Sequence, residues 1–325
     1  MAPAPVVAYL IASDTSPEQV TRLAAVLRAG RRHSAIAIWR DGAEGTLDLR
    51  RMHELDVDLL DTTSVERGSA AELMMLLRCI RRVRESARFD WLVLLSGSDY
   101  PVRPIAEIEA ALAGVDADAL IETHVCARPV IRFGATVEQH ALRYHYRWSS
   151  PRRLRPLGRA LAGVLNPYVA AEVTPAGVRI GVPAKRSPFK PPRRKPVAVP
   201  IRHNPLSSVH AERSPFGEGL ECRYGPASFA VSRRAAEATA AAVREHPELV
   251  LYYRDTLVPV ESYIHTVLAN DPSIRLGDDD RRFRSDGPIA IDELDAVLAS
   301  GADFAGPFDP DAAVLDAIDA RVHDR

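Results

Sequence analysis

The chain has 325 residues, 42 basic against 43 acidic side chains, a net charge of −1, and 46% hydrophobic content. That is enough apolar chain for a sizeable core, and the balanced charge excludes a global pull toward nucleic acid or an anionic surface. No apolar stretch approaches the roughly 20 residues that span a bilayer. Three cysteines without a short metal-ligand spacing fit a reducing compartment, so a cytoplasmic protein is expected.

The opening, MAPAPVVAYLIASD, lacks the basic leader and cleavage layout of a secretory signal. Val6 to Ala12 reads as a strand. Ser16 to Arg28 reads as a helix, with Ser16 as N-cap and Pro17 at the first helical position. Ser34 to Trp39 is a second strand and Val57 to Leu60 a weaker third. Ser69 to Ser86 carries an apolar stripe at Leu73, Leu76, Leu77, Ile80 and Val83, the spacing of a helix face that also takes Cys79 into the core. The run Trp91 to Leu95 is a fully buried strand, followed by a helix over Ile105–Leu112 and a strand over Ala119–Glu122. Strands alternating with helices predict an open α/β sheet, mainly parallel, with ligands collected at the carboxyl ends of the strands.

From about 149 to 220 the rhythm breaks into Pro and basic residues, as in PAKRSPFKPPRRKPVAVPIRHNP. Such a segment is either a solvated excursion or a basic lid over a phosphate-bearing ligand. Order is expected again at Ala227–Val231 (strand), Ser232–His246 (helix) and Pro259–Asn270 (helix). Helices near Asp292–Ala299 and from Asp311 finish the chain.

Two carboxylates stand out. Asp99, in the Ser-Gly-Ser-Asp tail of the fourth strand, either closes the loop by an Asx-turn or, beside small Gly97 and Ser98, meets a flat ligand that approaches the backbone. Glu261 sits two residues after Pro259, where a carboxylate is either a structural complement to the helix dipole or a general base projecting into the cleft. Asp56-Val57-Asp58 has a metal-nucleotide spacing but reads as a strand's polar start, and Asp278-Asp279-Asp280 as a solvated turn. The histidines show no metal-ligand spacing, so no metal site is expected. No aromatic platform interleaves with the basic run, which argues against a nucleic-acid module.

Three stretches together resemble the core-2/I-branching β-1,6-N-acetylglucosaminyltransferase family, which also includes protein xylosyltransferases: DWLVLLSGSDYPVRP (Asp90–Pro104), YGPASFAVSRRAA (Tyr224–Ala236) and DTLVPVESYIHTVLAN (Asp255–Asn270). The segments VVAYLI and FAGPFDPD are similar to the family as well. The resemblance implies a GT-A-type nucleotide-sugar fold spanning 1–325 with the 149–220 insertion inside it. It implies metal-independent, inverting transfer of a sugar, N-acetylglucosamine or xylose-like, from a UDP-sugar to a glycan or small-molecule hydroxyl, with no cofactor. By the match, Glu261 is the base, Asp14 and Asp99 with Gly97 and Ser98 seat the nucleotide, and Glu122, Arg143 and Gly225 meet the acceptor or donor sugar. The chain departs from the family at Pro307, where a diphosphate-binding Lys is usual, and at Arg67-Gly68, where the family has Trp-Gly. It also lacks an aromatic pair around Arg275–Asp280. Without that Lys the leaving group needs other cations, and Arg281, Arg282, Arg284 or the insertion are the candidates. Pro307 also leaves open a degenerate member that binds a sugar nucleotide or glycan without transferring it.

Overall fold

The computed structural model describes residues 5–13, 16–30, 34–40, 46–61, 65–127, 139–145, 170–173, 178–181, 215–217, 219–277, 279–310 and 312–323. The first half runs β1 (Val7–Ser13), α1 (Pro17–Gly30), β2 (Ala35–Arg40), α2 (Leu49–Glu54), β3 (Val57–Asp61), α3 (Ala70–Ser86), β4 (Trp91–Ser96), β5 (Tyr100–Pro101), α4 (Ile105–Ala113), β6 (Ala119–Leu120), β7 (His124–Val125) and α5 (Gln139–Tyr144). Then come the β8 (Ala170–Val173) and β9 (Val178–Gly181) pair, β10 (Arg223–Tyr224), β11 (Phe229–Ser232), α6 (Arg233–Glu245) and α7 (Pro247–Tyr253). A 3-10 turn over Pro259–Glu261 precedes α8 (Tyr263–Asn270), β12 (Leu276–Gly277), β13 (Arg282–Arg284), α9 (Leu294–Ala299), β14 (Phe304–Gly306) and α10 (Ala312–Ile318).

The central sheet has seven strands in the order β12-β6-β11-β4-β1-β2-β3. β4, β1, β2 and β3 are parallel, as the alternating pattern predicts. β11 is the exception, antiparallel to both β4 and β6. It follows β10 directly through the loop Gly225–Ser228, and an antiparallel neighbour needs no crossover connection. Its reversal places the chain before Phe229, from Tyr224 to Ser228, at the carboxyl edge of β4 and β6.

The strands are buried on both faces. Leu92 and Leu94 join one core with Leu73, Leu76 and Ile80 of α3. Trp91, Val93 and Leu95 join the other, with Leu23 and Leu27 of α1 and Ile108 of α4. This period-2 partition explains why β4 is a continuous apolar run rather than an alternating one, and truncating fully buried Leu95 to Ala would cost about 2–5 kcal/mol. Three serines cap helices, Ser16 where the sequence predicts a cap. Ser16 accepts from Gln19 N at 3.2 Å, Ser69 from Glu72 N, and Ser232 from Ala235 N, each satisfying an otherwise orphaned amide. A small sheet, β13-β14-β5, abuts the loop after β4. Among the described residues no helix is long and apolar enough to cross a membrane.

One helix starts later than its proline suggests. Pro259 opens a 3-10 turn, and α8 begins only at Tyr263. Val258, just before it, has φ +48°, a left-handed conformation that costs a β-branched residue energy. Its amide donates to Gly68 O at 2.9 Å, which fixes the turn from outside the segment. Glu261 therefore sits at a junction ahead of α8 rather than in its first turn.

Candidate functional site

The loop leaving β4 is closed by its own polar residues. Asp99 Oδ2 accepts from Ser96 N at 2.8 Å, and the Ser96 and Ser98 hydroxyls lie 3.0 Å apart. Gly97 N donates to Ala12 O at 3.2 Å, joining the ends of β4 and β1. Behind Asp99 lies β14: a Cβ added at Gly306 would come within 2.6 Å of Asp99 Oδ1 and 3.2 Å of Ser98 O, so a larger residue there would push the Asp99 carboxylate from its place. Asp99 thus closes its loop, through a bond back to Ser96 rather than a forward Asx-turn.

Its counter-ion comes from β13. Arg282 Nη1 lies 3.4 Å from Asp99 Oδ2, with the two side chains 4% and 14% exposed. Arg282 Nη2 also donates to Leu94 O at 2.9 Å. Burial pushes the Asp99 carboxyl up and the Arg282 guanidinium down, and each charge opposes the other's shift. Residues two apart on a strand share a face, so Arg284 follows Arg282 to this edge. It binds Glu122 Oε2 at 3.2 Å, Asp280 and, at 3.3 Å, Ser228 O. Arg281 takes the opposite direction and pairs with Asp303 at 3.7 Å, which Arg103 also binds. Of the three candidate arginines, then, Arg282 and Arg284 gather at the carboxyl edge and Arg281 does not.

Glu122 leads on to Glu261. The backbone at Gly225 passes so close to Glu122 O that an added Cβ would lie 2.0 Å from it, and 2.5 Å from the His265 ring. Gly225 N in turn donates to Glu261 O at 2.9 Å. The Glu261 carboxylate takes Arg143 Nη1 at 3.0 Å and Tyr144 OH at 3.5 Å, both from α5. Its side chain is only 17% exposed. Burial raises its pKa; Arg143 opposes that shift, whereas the charge on Glu72 adds to it. The next residue, Ser262, is buried, donates to Arg223 O at 2.6 Å and lies 2.7 Å from Tyr253 OH. The backbone beside Glu261 is therefore locked while its carboxylate is paired with Arg143. With its pKa raised by burial, the group takes up a proton more readily than an ordinary carboxylate, as a general base must.

An aromatic ledge borders this edge. His140 stacks on Tyr224 with centroids 4.0 Å apart and planes 18° off parallel, and exposed His124 lies 5.5 Å from the same ring. Burial, helped by Arg143 and His124, pushes His140 down to about 4, so it is neutral at physiological pH. His124 also meets Glu122 at 2.8 Å. Sequence reading did not single out His140, His124 or Tyr224. Tyr224 lay inside a recognised stretch, but its stacking partners come from elsewhere in the chain.

The remaining candidates divide. Asp14, Asp278 and nearly all of the 149–220 insertion, including 185–203, lie outside the described residues. Asp56 is at the amino edge of the sheet, 91% exposed and 3.6 Å from Arg28, away from the edge that carries Asp99. No family model matches the chain, and no curated protein matches it.

Proposed function

We propose that the chain is an inverting glycosyltransferase that moves a sugar from a UDP-sugar to a hydroxyl acceptor, on a GT-A-type nucleotide-sugar fold, with Glu261 as the base. One observation carries the reading. A buried carboxylate of raised pKa, paired with Arg143, belongs to a residue whose backbone carbonyl accepts from Gly225 N, at the same sheet edge as Arg282 and Arg284. In the proposed reaction the acceptor oxygen attacks the anomeric carbon from the face opposite the leaving diphosphate. Its proton passes to Glu261 as the new C–O bond forms and the bond to the diphosphate breaks. A sugar hydroxyl is too weak an acid to lose that proton unaided, so the base must lie within hydrogen-bond reach.

The diphosphate takes up negative charge as it departs, and cations fixed in advance stabilise it best. Arg284, which spans Glu122, Asp280 and Ser228 O, is the group assigned to this. Arg282, buried against Asp99, holds the loop in which the nucleoside is seated. The Tyr224–His140 stack supplies an apolar ring surface for the acceptor sugar. The donor sugar proposed is N-acetylglucosamine or xylose, and the transfer runs without a divalent cation on the diphosphate.

A second reading has an observation of its own. Pro307 stands where the resembled family carries a Lys, and Arg143, Arg282 and Arg284 each already face a carboxylate. A chain so balanced would bind a sugar nucleotide without cleaving it. Thermal unfolding with UDP, UDP-N-acetylglucosamine, UDP-xylose and GDP tests the site itself. Ligand at a hundred times Kd stabilises by about 2.7 kcal/mol. Uridine nucleotides should raise Tm and GDP should not; no shift with any of them refutes both readings. UDP release from a protective donor, unchanged by added Mn²⁺, then selects transfer over binding alone.

A further inference from the structure

Cys126, Cys222 and His145 are far apart in sequence, and no short spacing announces them. In the fold they converge: one ligand atom from each lies within 4.8 Å of the other two. The convergence follows from the β7–β10 pairing. Val125 sits opposite Arg223 and His124 opposite Tyr224, so one step further Cys126 faces Cys222, and Cys126 N donates to Cys222 O at 2.8 Å. His145 follows the last residue of α5, with its amide on Ala141 O at 3.0 Å and its Nε2 donating to Cys126 O at 2.7 Å.

We infer that Cys126, His145 and Cys222 form a binding site for a thiophilic d¹⁰ cation of the zinc class. Two sulfurs and an imidazole are the donor set that such an ion prefers, with a fourth tetrahedral position left for water or another ligand. Zinc–sulfur bonds of about 2.3 Å and zinc–nitrogen bonds of about 2.0 Å put tetrahedral donors roughly 3.5–3.8 Å apart, so the three side chains need close by only about an ångström. Both cysteines are unbridged and buried. Two thiolates neutralise a divalent ion, which removes the cost of burying either charge alone, and binding releases about two protons. The bond from His145 Nε2 to a backbone carbonyl is the outer-shell contact that fixes the orientation of a ligating imidazole. Phe216, in edge contact with the His145 ring at 5.4 Å, walls the site with apolar surface. A disulfide between the cross-strand cysteines is the competing outcome, but it gives the imidazole no role.

The ion would be structural and separate from the donor edge. It ties together β7, β10 and the end of α5. The two residues before His145 are Arg143 and Tyr144, which hold Glu261, and Cys222 Sγ lies 3.9 Å from Ser262 Oγ beside it. Cys126 and Cys222 also flank the 149–220 insertion, so the site closes that excursion at its base.

The test uses the full chain, purified under reduction without chelator. Elemental analysis should find one zinc ion per chain, and Co²⁺ loaded in its place should give a thiolate-to-cobalt charge-transfer band. Cys126→Ser and Cys222→Ser should each abolish that band, and His145→Asn should weaken metal retention. Should a serine variant fail to fold, wild-type thiol labelling decides. Zinc should protect Cys126 and Cys222 from alkylation and leave Cys79 unchanged. Cobalt binding without a charge-transfer band, equal alkylation with and without zinc, or a Cys126–Cys222 disulfide under non-reducing mass spectrometry would each overturn the site.

Discussion

Replacing Arg282 with Met tests how the donor edge is built. Met keeps the aliphatic stem against Phe304, whose ring lies 5.1 Å from the guanidinium carbon, and deletes the charge. At 3.4 Å and an effective dielectric of about 20, the attraction lost is about 5 kcal/mol before solvation is counted. Removing one partner of a buried pair costs about 3–5 kcal/mol in practice, because the other charge is left stranded. The bond to Leu94 O contributes about 1 kcal/mol more. Asp99→Asn should cost less, since Asn still accepts from Ser96 N. The double variant should recover about 2 kcal/mol of the summed losses, within the range for neighbours in contact. Urea unfolding of the four proteins gives the cycle. The pH dependence has a defined sign. Without Arg282 the Asp99 pKa rises further above its unfolded value. The deficit of the single variant should therefore be smallest below the usual carboxylate range and grow as pH rises through the raised folded pKa. A single-variant loss below about 1 kcal/mol, with additive changes in the double, would refute a buried pair that holds this loop.

Gly225→Ala should destabilise the chain by about 1–3 kcal/mol or more, because the new Cβ would lie 2.0 Å from a backbone oxygen that no rotamer change can move; an unchanged urea midpoint contradicts that approach. Glu261 must be ionised to act, and its pKa is raised, so kcat/KM should climb with pH along a limb above the ordinary carboxylate range. Arg143→Met should move that limb higher still, and a limb that stays in place removes Glu261 from it. His265, buried with Nε2 on Pro226 O, titrates at about 4 when folded, against about 6.5 unfolded. Its share of stability, about 3 kcal/mol, is full above the unfolded value and lost as pH falls toward 4. His265→Gln should flatten the stability profile between those pH values, and an unaltered slope would show that the group is solvated.

The sequence made β4 legible because five consecutive apolar residues buried on both faces leave no other element of that length. Ser16, ahead of Pro17, likewise marked a helix start through local chemistry. What escaped was set by distant contacts. The direction of β11 depends on where β10, paired with distant β7, hands over the chain. β5, β7, β10 and β12–β14 are two or three residues long, too short to carry a period. α2 is rich in arginine and buries only Met52, although Asp48 capping its first amides was a signal that a closer reading could have used. At the candidate site, Asp99 and Glu261 were visible as odd carboxylates at loop–element junctions. Their counter-ions were not assignable from sequence: Arg281 turns aside at φ +57° just before β13 while Arg282 opens the strand, and Arg143 meets Glu261 across 118 positions.

Initial-rate UDP release from UDP-sugars in the presence of a hydroxyl acceptor, compared between the native chain and Glu261→Gln, tests the central claim most directly. Gln keeps the shape and the contact with Arg143 but cannot take a proton. Turnover should fall by roughly a hundredfold or more, while UDP affinity and the urea midpoint change little. A Glu261→Gln rate within a few-fold of the native rate, with donor cleavage intact, would contradict the assignment of Glu261 as the base and the reaction built on it.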